Sequence, residues 1–154
     1  MASRCGSVGC WETEIGSYAL LRHAGHPTDG GRAEVDTVLR EAAAGDPIAL
    51  AALEVVARWV GFGLAGLVNV LNPRLVVLGG LLGRIHPYVG DVVDRELDRL
   101  TLPAPRRLVR VVPGSLGADA PILGAAELAF EPLLADPAAW IGPRDDLADL
   151  ASAS

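Results

Sequence analysis

The sequence predicts an α/β fold, rich in helix and carrying a truncated parallel sheet. Two β-branched runs, residues 74–78 (RLVVL) and 108–112 (LVRVV), are separated by a stretch with helical apolar spacing. That order is the one a parallel strand pair requires. A long apolar stripe from Leu50 to Leu71 precedes the first strand. The chain is 51% apolar and 21% charged, a balance that buries a core. Its 154 residues make room for one domain.

Residues 13–24 read as a short helix with Ile15, Ala19 and Leu20 on one side, and residues 25–32 (GHPTDGGR) as a loop by their Gly, Pro and Asp content. Val35, Val38, Leu39 and Ala42 mark a second helix that Gly45 ends. Asp46 and Pro47 are a good N-cap and first residue for the longest element. Its stripe runs Leu50, Leu53, Ala57, Val60, Leu64, Leu67 and Leu71, with Glu54 and Arg58 one turn apart. Beyond Arg58 it is apolar all round, so its second half is expected to be buried, with Gly61, Gly63 and Gly66 admitting a close neighbour and Pro73 stopping it. The first strand is expected to be buried and to end in a tight turn at Gly79-Gly80. Ile85, Val89, Val92, Val93, Leu97 and Leu100 then mark an amphipathic helix with Asp91, Asp94, Arg95, Asp98 and Arg99 on its other face. After the second strand, Asp119 caps a helix to about Leu134 with Ile122, Leu123, Ala126 and Phe130 inward. The organisation is thus one subdomain over residues 1–134 and a tail over 135–154, anchored by Trp140 and loose beyond it. Two strands are too few for a parallel sheet, so further strands are expected from residues before Met1 or from another chain.

Composition removes several classes. The net charge is −6, and all thirteen basic residues are Arg. Arg106, Arg107 and Arg110 form the one basic cluster, so nucleic acid must be held by something other than this chain. The longest uncharged apolar run, residues 59–68, has ten residues, short of the roughly 18–20 that a membrane helix needs. No basic segment followed by an apolar core and cleavage site opens the chain, which therefore reads as cytoplasmic, without a membrane partner. Cys5 and Cys10 lie close together in a glycine-rich opening, where a metal clip is the better reading than a disulfide. His23 and His26 read as a surface pair at a helix end.

Three segments, CGSVGCWE at 5–12, NVLNPRLVVLGG at 69–80 and GSLGADAPILGAAELA at 114–129, resemble the ROK family (repressor, open reading frame, kinase) in the right order. The first is the specific one, similar to the family pattern C-x-C-G-x-x-G-C-x-E. Cys5, Gly6, Gly9, Cys10 and Glu12 match it, and Ser3 stands at the first cysteine position. The resemblance implies the C-terminal subdomain of an actin-like ATPase (ribonuclease H-like) fold. It also implies a structural zinc held by three cysteines and an upstream histidine, a closed shell without chemistry. With Ser3 in place and no upstream histidine, Cys5 and Cys10 complete such a site only with ligands from elsewhere, and zinc is expected only in the intact parent.

The resemblance makes Glu12 the sugar contact, because a carboxylate offers several acceptors to adjacent hydroxyls. The alternative is a helix-start glutamate favoured by the positive helix end. Glu14 has no such support and reads as solvated. Gly79, Gly80 and Gly117 match the glycines beside which the kinases bind a nucleotide, since no Cβ blocks approach. Ordinary turn chemistry after a strand is the reading preferred here, and ATP is not expected for this chain. The phosphate-binding hairpin and catalytic Asp of the kinases have no counterpart in it, so the chain itself is not expected to be an enzyme.

The reading that follows is the sugar-sensing and dimerising C-terminal portion of a ROK-type transcriptional regulator. Its partners are a small sugar effector, a second copy, and DNA through an N-terminal domain absent from this chain. The alternative is the C-terminal half of a ROK sugar kinase, glucokinase-like and ATP-dependent. With its sheet edge and long helix unpartnered, the chain alone is expected to self-associate or to be poorly stable.

Overall fold

A computed structural model describes residue 6 and residues 8–141, in the order α1 (Glu12–Ile15), α2 (Ser17–Ala24), α3 (Gly31–Ala43), α4 (Pro47–Leu71), β1 (Leu75–Leu78), α5 (Gly80–Leu100), α6 (Pro103–Leu108), β2 (Arg110–Pro113), α7 (Ala120–Ala135) and α8 (Pro137–Ile141). The chain divides into two compact units at Gly117.

In the first unit α4 is the central element. Asp46 Oδ1 accepts from the amides of Ile48 and Ala49 at 2.9 and 2.8 Å, and Pro47 opens the helix, as the sequence predicts. The helix ends at Leu71, as a stop at Pro73 requires, with Asn72 in the left-handed conformation and its N–H bonded to the Val68 carbonyl. Leu53, Ala57, Val60 and Leu64 of the stripe are buried with Val56, Ala65 and Val68. Leu20 and Leu21 of α2, Val38 of α3 and Val93 and Leu97 of α5 complete the core. Gly61 lets α5 approach closely, Gly63 faces Trp11, and Gly66 faces open space.

The second half of α4 is not buried all round. Trp59 is 41% exposed, Phe62 57% and Val70 81%, with Leu67 and Leu71 also exposed, and Trp59 and Phe62 meet edge to face at 5.7 Å. The stripe continues to Leu71 in sequence, but α5 and α2 cover only one side of the helix. At 25 residues, with a window of mean hydropathy 1.7, α4 is long and apolar enough to cross a membrane, because Glu54 and Arg58 interrupt its apolar run without shortening the helix. Half of that window is buried inside the protein, the pattern of a core helix.

β1 and β2 pair in parallel in the register Leu75↔Arg110 to Leu78↔Pro113, the predicted topology. Val76 and Leu78 turn to the core while Leu75 and Val77 are exposed, so β1 is half-buried where full burial was expected. Parallel strands are normally covered on both faces, and here helices cover one. Three further differences are local. The first helix is two, broken at Gly16, whose extended backbone (ψ 176°) stops α1. Residues 103–108 form α6, with Pro103 at its first position, so the second strand begins at Arg110 rather than at Leu108. Arg106 there bonds Asp98 at 2.7 Å and Asp94 at 3.0 Å, so the one basic cluster is partly neutralised by α5. Asn69 joins α4 to the α5–α6 turn, its amide donating to the Leu100 carbonyl and its carbonyl accepting from the Leu102 amide.

In the second unit α7 buries no residue. Ile122, Leu123, Ala126 and Phe130, expected inward, are exposed, and Asp119 makes no side-chain capping bond. Trp140 belongs to α8 and stands 66% exposed, so it is no anchor. The expected loose tail beyond it lies outside the described residues.

His26 departs furthest from its expected role. Its Nδ1 lies 2.9 Å from Glu34 Oε2 and its Nε2 3.0 Å from Glu41 Oε2, so the half-buried ring straps the α2–α3 loop to α3. Carboxylates only accept, and both ring nitrogens donate only in the imidazolium. The Glu34 bond raises the pKa of His26 above its ordinary 6.5, burial opposes this, and the Glu41 bond and both charges add to the rise. A raised folded pKa contributes stability that is fully present below the unfolded value and is lost as pH rises through the folded one. The urea midpoint of the wild type should therefore exceed that of His26→Gln most below the ordinary histidine pKa of 6.5, and the gap should shrink as the pH rises above it. A gap that widens with pH would contradict the strap.

Candidate functional site

The candidate sugar contact lies on a short segment built against α4. Thr13 curls it: its amide and its Oγ1 both donate to the Cys10 carbonyl, at 3.0 and 2.6 Å. The Glu14 amide bonds the Trp11 carbonyl at 2.9 Å, closing the first turn of α1. Trp11 Nε1 donates to the Trp59 carbonyl at 2.6 Å, and its ring lies across Gly63. Glu14 is not solvated as expected but accepts from Arg22 Nη2 at 3.0 Å, tying α1 to α2.

Glu12 begins α1 with its side chain exposed, and among the described residues no cation pairs with it. The alternative role, a glutamate held by a helix N-terminus, is weak at four residues, since few peptide dipoles align there. Glu12 is thus an accessible acceptor on a braced mount. Neither Trp11 nor Gly63 was singled out as a site residue. The signal available was a glycine within an otherwise well-formed helix, which asks for a close neighbour.

Cys10, half-buried, heads this segment, and Cys5 lies outside the described residues. Among the described residues no three His, Cys, Asp or Glu side chains gather as a metal shell. His26 has both nitrogens engaged with Glu34 and Glu41, so a His23–His26 pair supplies no substitute. The described donors alone do not complete a zinc shell.

The three candidate nucleotide glycines lie in the first unit. Gly79 caps α5 with extended backbone, and Gly80 opens it at φ +53°, a conformation that favours glycine. A Cβ at either would meet nothing within 4 Å. The Gly114 amide donates to the Leu78 carbonyl at 2.8 Å, holding the chain after β2 against the end of β1. Gly117 follows at φ +55° with equally open surroundings. Gly79 and Gly80 directly follow the carboxyl end of β1 and Gly117 lies four residues beyond that of β2, the end at which open α/β sheets take ligands.

The sequence profile of the ROK family matches residues 1–131. A glucokinase of Streptomyces coelicolor is 33% identical over 145 residues, which covers 83% of this chain and 46% of that protein. A xylose repressor of Bacillus spizizenii is 28% identical over 130 residues, 84% of this chain and 33% of the repressor. The chain spans less than half the length of these relatives. Among solved structures, a ROK family glucokinase from Streptomyces griseus in complex with glucose and AMPPNP superimposes with a TM-score of 0.67 at 29% identity, covering 80% of this chain and 45% of that one. A ROK family transcriptional regulator, a homolog of the E. coli MLC protein, shares the fold with a TM-score of 0.63 at 22% identity, over 73% of this chain and 31% of that one. With its helix-rich α/β architecture and parallel strand pair, the fold is that of the actin-like sugar kinases and regulators, and the chain belongs to the ROK family.

Proposed function

We propose that this chain is the sugar-sensing and dimerising C-terminal portion of a ROK transcriptional regulator, acting in the cytoplasm without a membrane partner. The observation that supports it most is the exposed Glu12 carboxylate on a segment braced against α4. Sugar hydroxyls donate to that carboxylate, and the bound sugar favours one arrangement of this portion and the rest of the protein, shifting DNA binding through the N-terminal domain. The chain itself is then not an enzyme and takes no ATP. Zinc belongs to the intact parent, where further ligands join Cys5 and Cys10. Calorimetric titration with glucose and with xylose tests the site. Glu12→Gln should weaken binding about 10- to 100-fold, the worth of bonds to a charged acceptor. Equal affinity in the variant would remove Glu12 from the site.

The dimer is proposed through the exposed α4 face of Trp59, Phe62 and Val70. Phe62→Glu should lower the sedimenting mass while leaving the melting midpoint nearly unchanged, because little buried area is lost within the protomer. A variant that sediments like the wild type would move the interface elsewhere.

A second reading, a sugar kinase portion, is favoured by the 33% identity to a glucokinase and by the open surroundings of Gly79 and Gly80 at the end of β1. Titration with AMPPNP discriminates. Binding that is lost in Gly80→Val, where a β-branched residue would be strained at positive φ, supports the kinase. The regulator reading expects no binding in either protein.

A further inference from the structure

We propose that Trp11 is the positioning residue of the sugar site, holding the Glu12 segment against α4, and that Gly63 is the seat that admits it; this rests on the reading of Glu12 as the sugar contact. α1 has four residues, buries none and carries no side-chain cap, so it does not hold its own position. The Trp11 indole N–H reaches across 48 positions to the Trp59 carbonyl at 2.6 Å, on the helix that centres the core. One turn further along α4, a Cβ on Gly63 would stand 2.1 Å from Trp11 Cε2 and 2.3 Å from Cζ2. No side chain fits there while the indole is in place. Glycine is unfavourable within a helix, and the indole is the reason this one is tolerated.

The other ties do not do the same work. The Thr13 bonds to the Cys10 carbonyl curl the segment on itself, and the Glu14–Arg22 pair joins it to α2. Ile15 packs against the core at the far end of the segment, and beside Glu12 it is Trp11 that is hydrogen-bonded to α4. Glu12 is the next residue along the chain, so a shift of the indole carries the carboxylate with it. Hydrogen bonds to sugar hydroxyls tolerate displacements of a few tenths of an ångström, and larger ones are felt strongly.

The test compares wild type, Trp11→Phe, Gly63→Ala, Glu12→Gln and the Trp11→Phe/Glu12→Gln double variant. Glucose and xylose are the probes, titrated by calorimetry beside a thermal melt of each protein. Trp11→Phe keeps a ring over Gly63 and loses the N–H, while Gly63→Ala keeps the indole side chain but fills its seat and displaces it. Each should weaken sugar binding about tenfold with a melting midpoint within a few degrees of wild type. On the Glu12→Gln background Trp11→Phe should add nothing, because it acts through that carboxylate. If Glu12→Gln weakens binding while Trp11→Phe and Gly63→Ala bind like wild type, the positioning role is wrong and the sugar site stands. An equal loss from Trp11→Phe on both backgrounds, in step with a falling midpoint, would make Trp11 a structural residue only. Should Glu12→Gln leave binding unchanged, or the wild type bind neither sugar, the sugar reading itself falls and takes this one with it. Should Gly63→Ala not fold, Trp11→Phe decides alone.

Discussion

Leu53→Ala is expected to lower the stability of the protein by about 2–5 kcal/mol, a large share of the roughly 5–15 kcal/mol that holds a domain folded. Leu53 is fully buried on the face of α4 that carries Val56, Ala57 and Val60, within the same core as Leu20, Leu21 and Leu97. The cost has two parts, the transfer of the lost methyl and methylene groups and the cavity they leave between helices that relax only partly. Urea denaturation reads it as a fall in midpoint at unchanged slope. The same replacement at Leu67, on the exposed side of the helix, should change stability by about 0.5 kcal/mol or less. Equal losses at the two positions would mean that α4 presents a different face to the core.

Gly61→Val carries the next largest effect. α4 and α5 approach so closely at Gly61 that a Cβ there would lie 2.5 Å from Glu96 Cβ and 3.2 Å from the Val93 carbonyl oxygen. Neither neighbour is the swinging end of a side chain; both move only with the backbone of α5. Inserting a β-branched side chain therefore pushes the two helices apart and should cost about 3 kcal/mol, at the upper end for overpacking. Gly66→Ala on the same helix meets nothing within 4 Å and should be neutral or stabilising by about 0.5–1 kcal/mol, the helix gain of alanine over glycine. A thermal melt of both separates the two cases. Wild-type stability in Gly61→Val would refute the close α4–α5 packing.

Apolar period and glycine content leave open which side of α4 is covered. The stripe from Leu50 to Leu71 has one period throughout, and period alone does not say how much of it a neighbour covers. The core takes it as far as Val68, with Leu67 already exposed, because α2 and α5 pack on one side of α4. The three glycines of this helix look alike in sequence, yet one admits α5, one admits Trp11 and one faces open space. The same gap explains His26. A histidine in a loop rich in Gly, Pro and Asp reads as a surface group, and only the packing of α3 brings Glu34 and Glu41 to its two nitrogens.

The candidate site divides in the same way. Glu12 and the glycines at 79, 80 and 117 are candidates because short motifs carry them, and motifs are local. Trp11 was not among them, since its role depends on Trp59 and Gly63, each about 50 positions away. Glu14, one turn beyond Trp11, looked solvated until the fold set Arg22 beside it.

By itself the sequence determined the α/β class, the helix from Asp46, the parallel strand pair and the family that the three motifs mark. All of these rest on periodicity, caps and turn residues, which act over a few positions of chain. The tertiary structure decided which side of α4 is covered, that β1 is open on one face, that residues 103–108 coil into α6, and what holds the Glu12 segment in place. Those outcomes depend on contacts between distant segments, where the burial of one surface is settled by the shape of another.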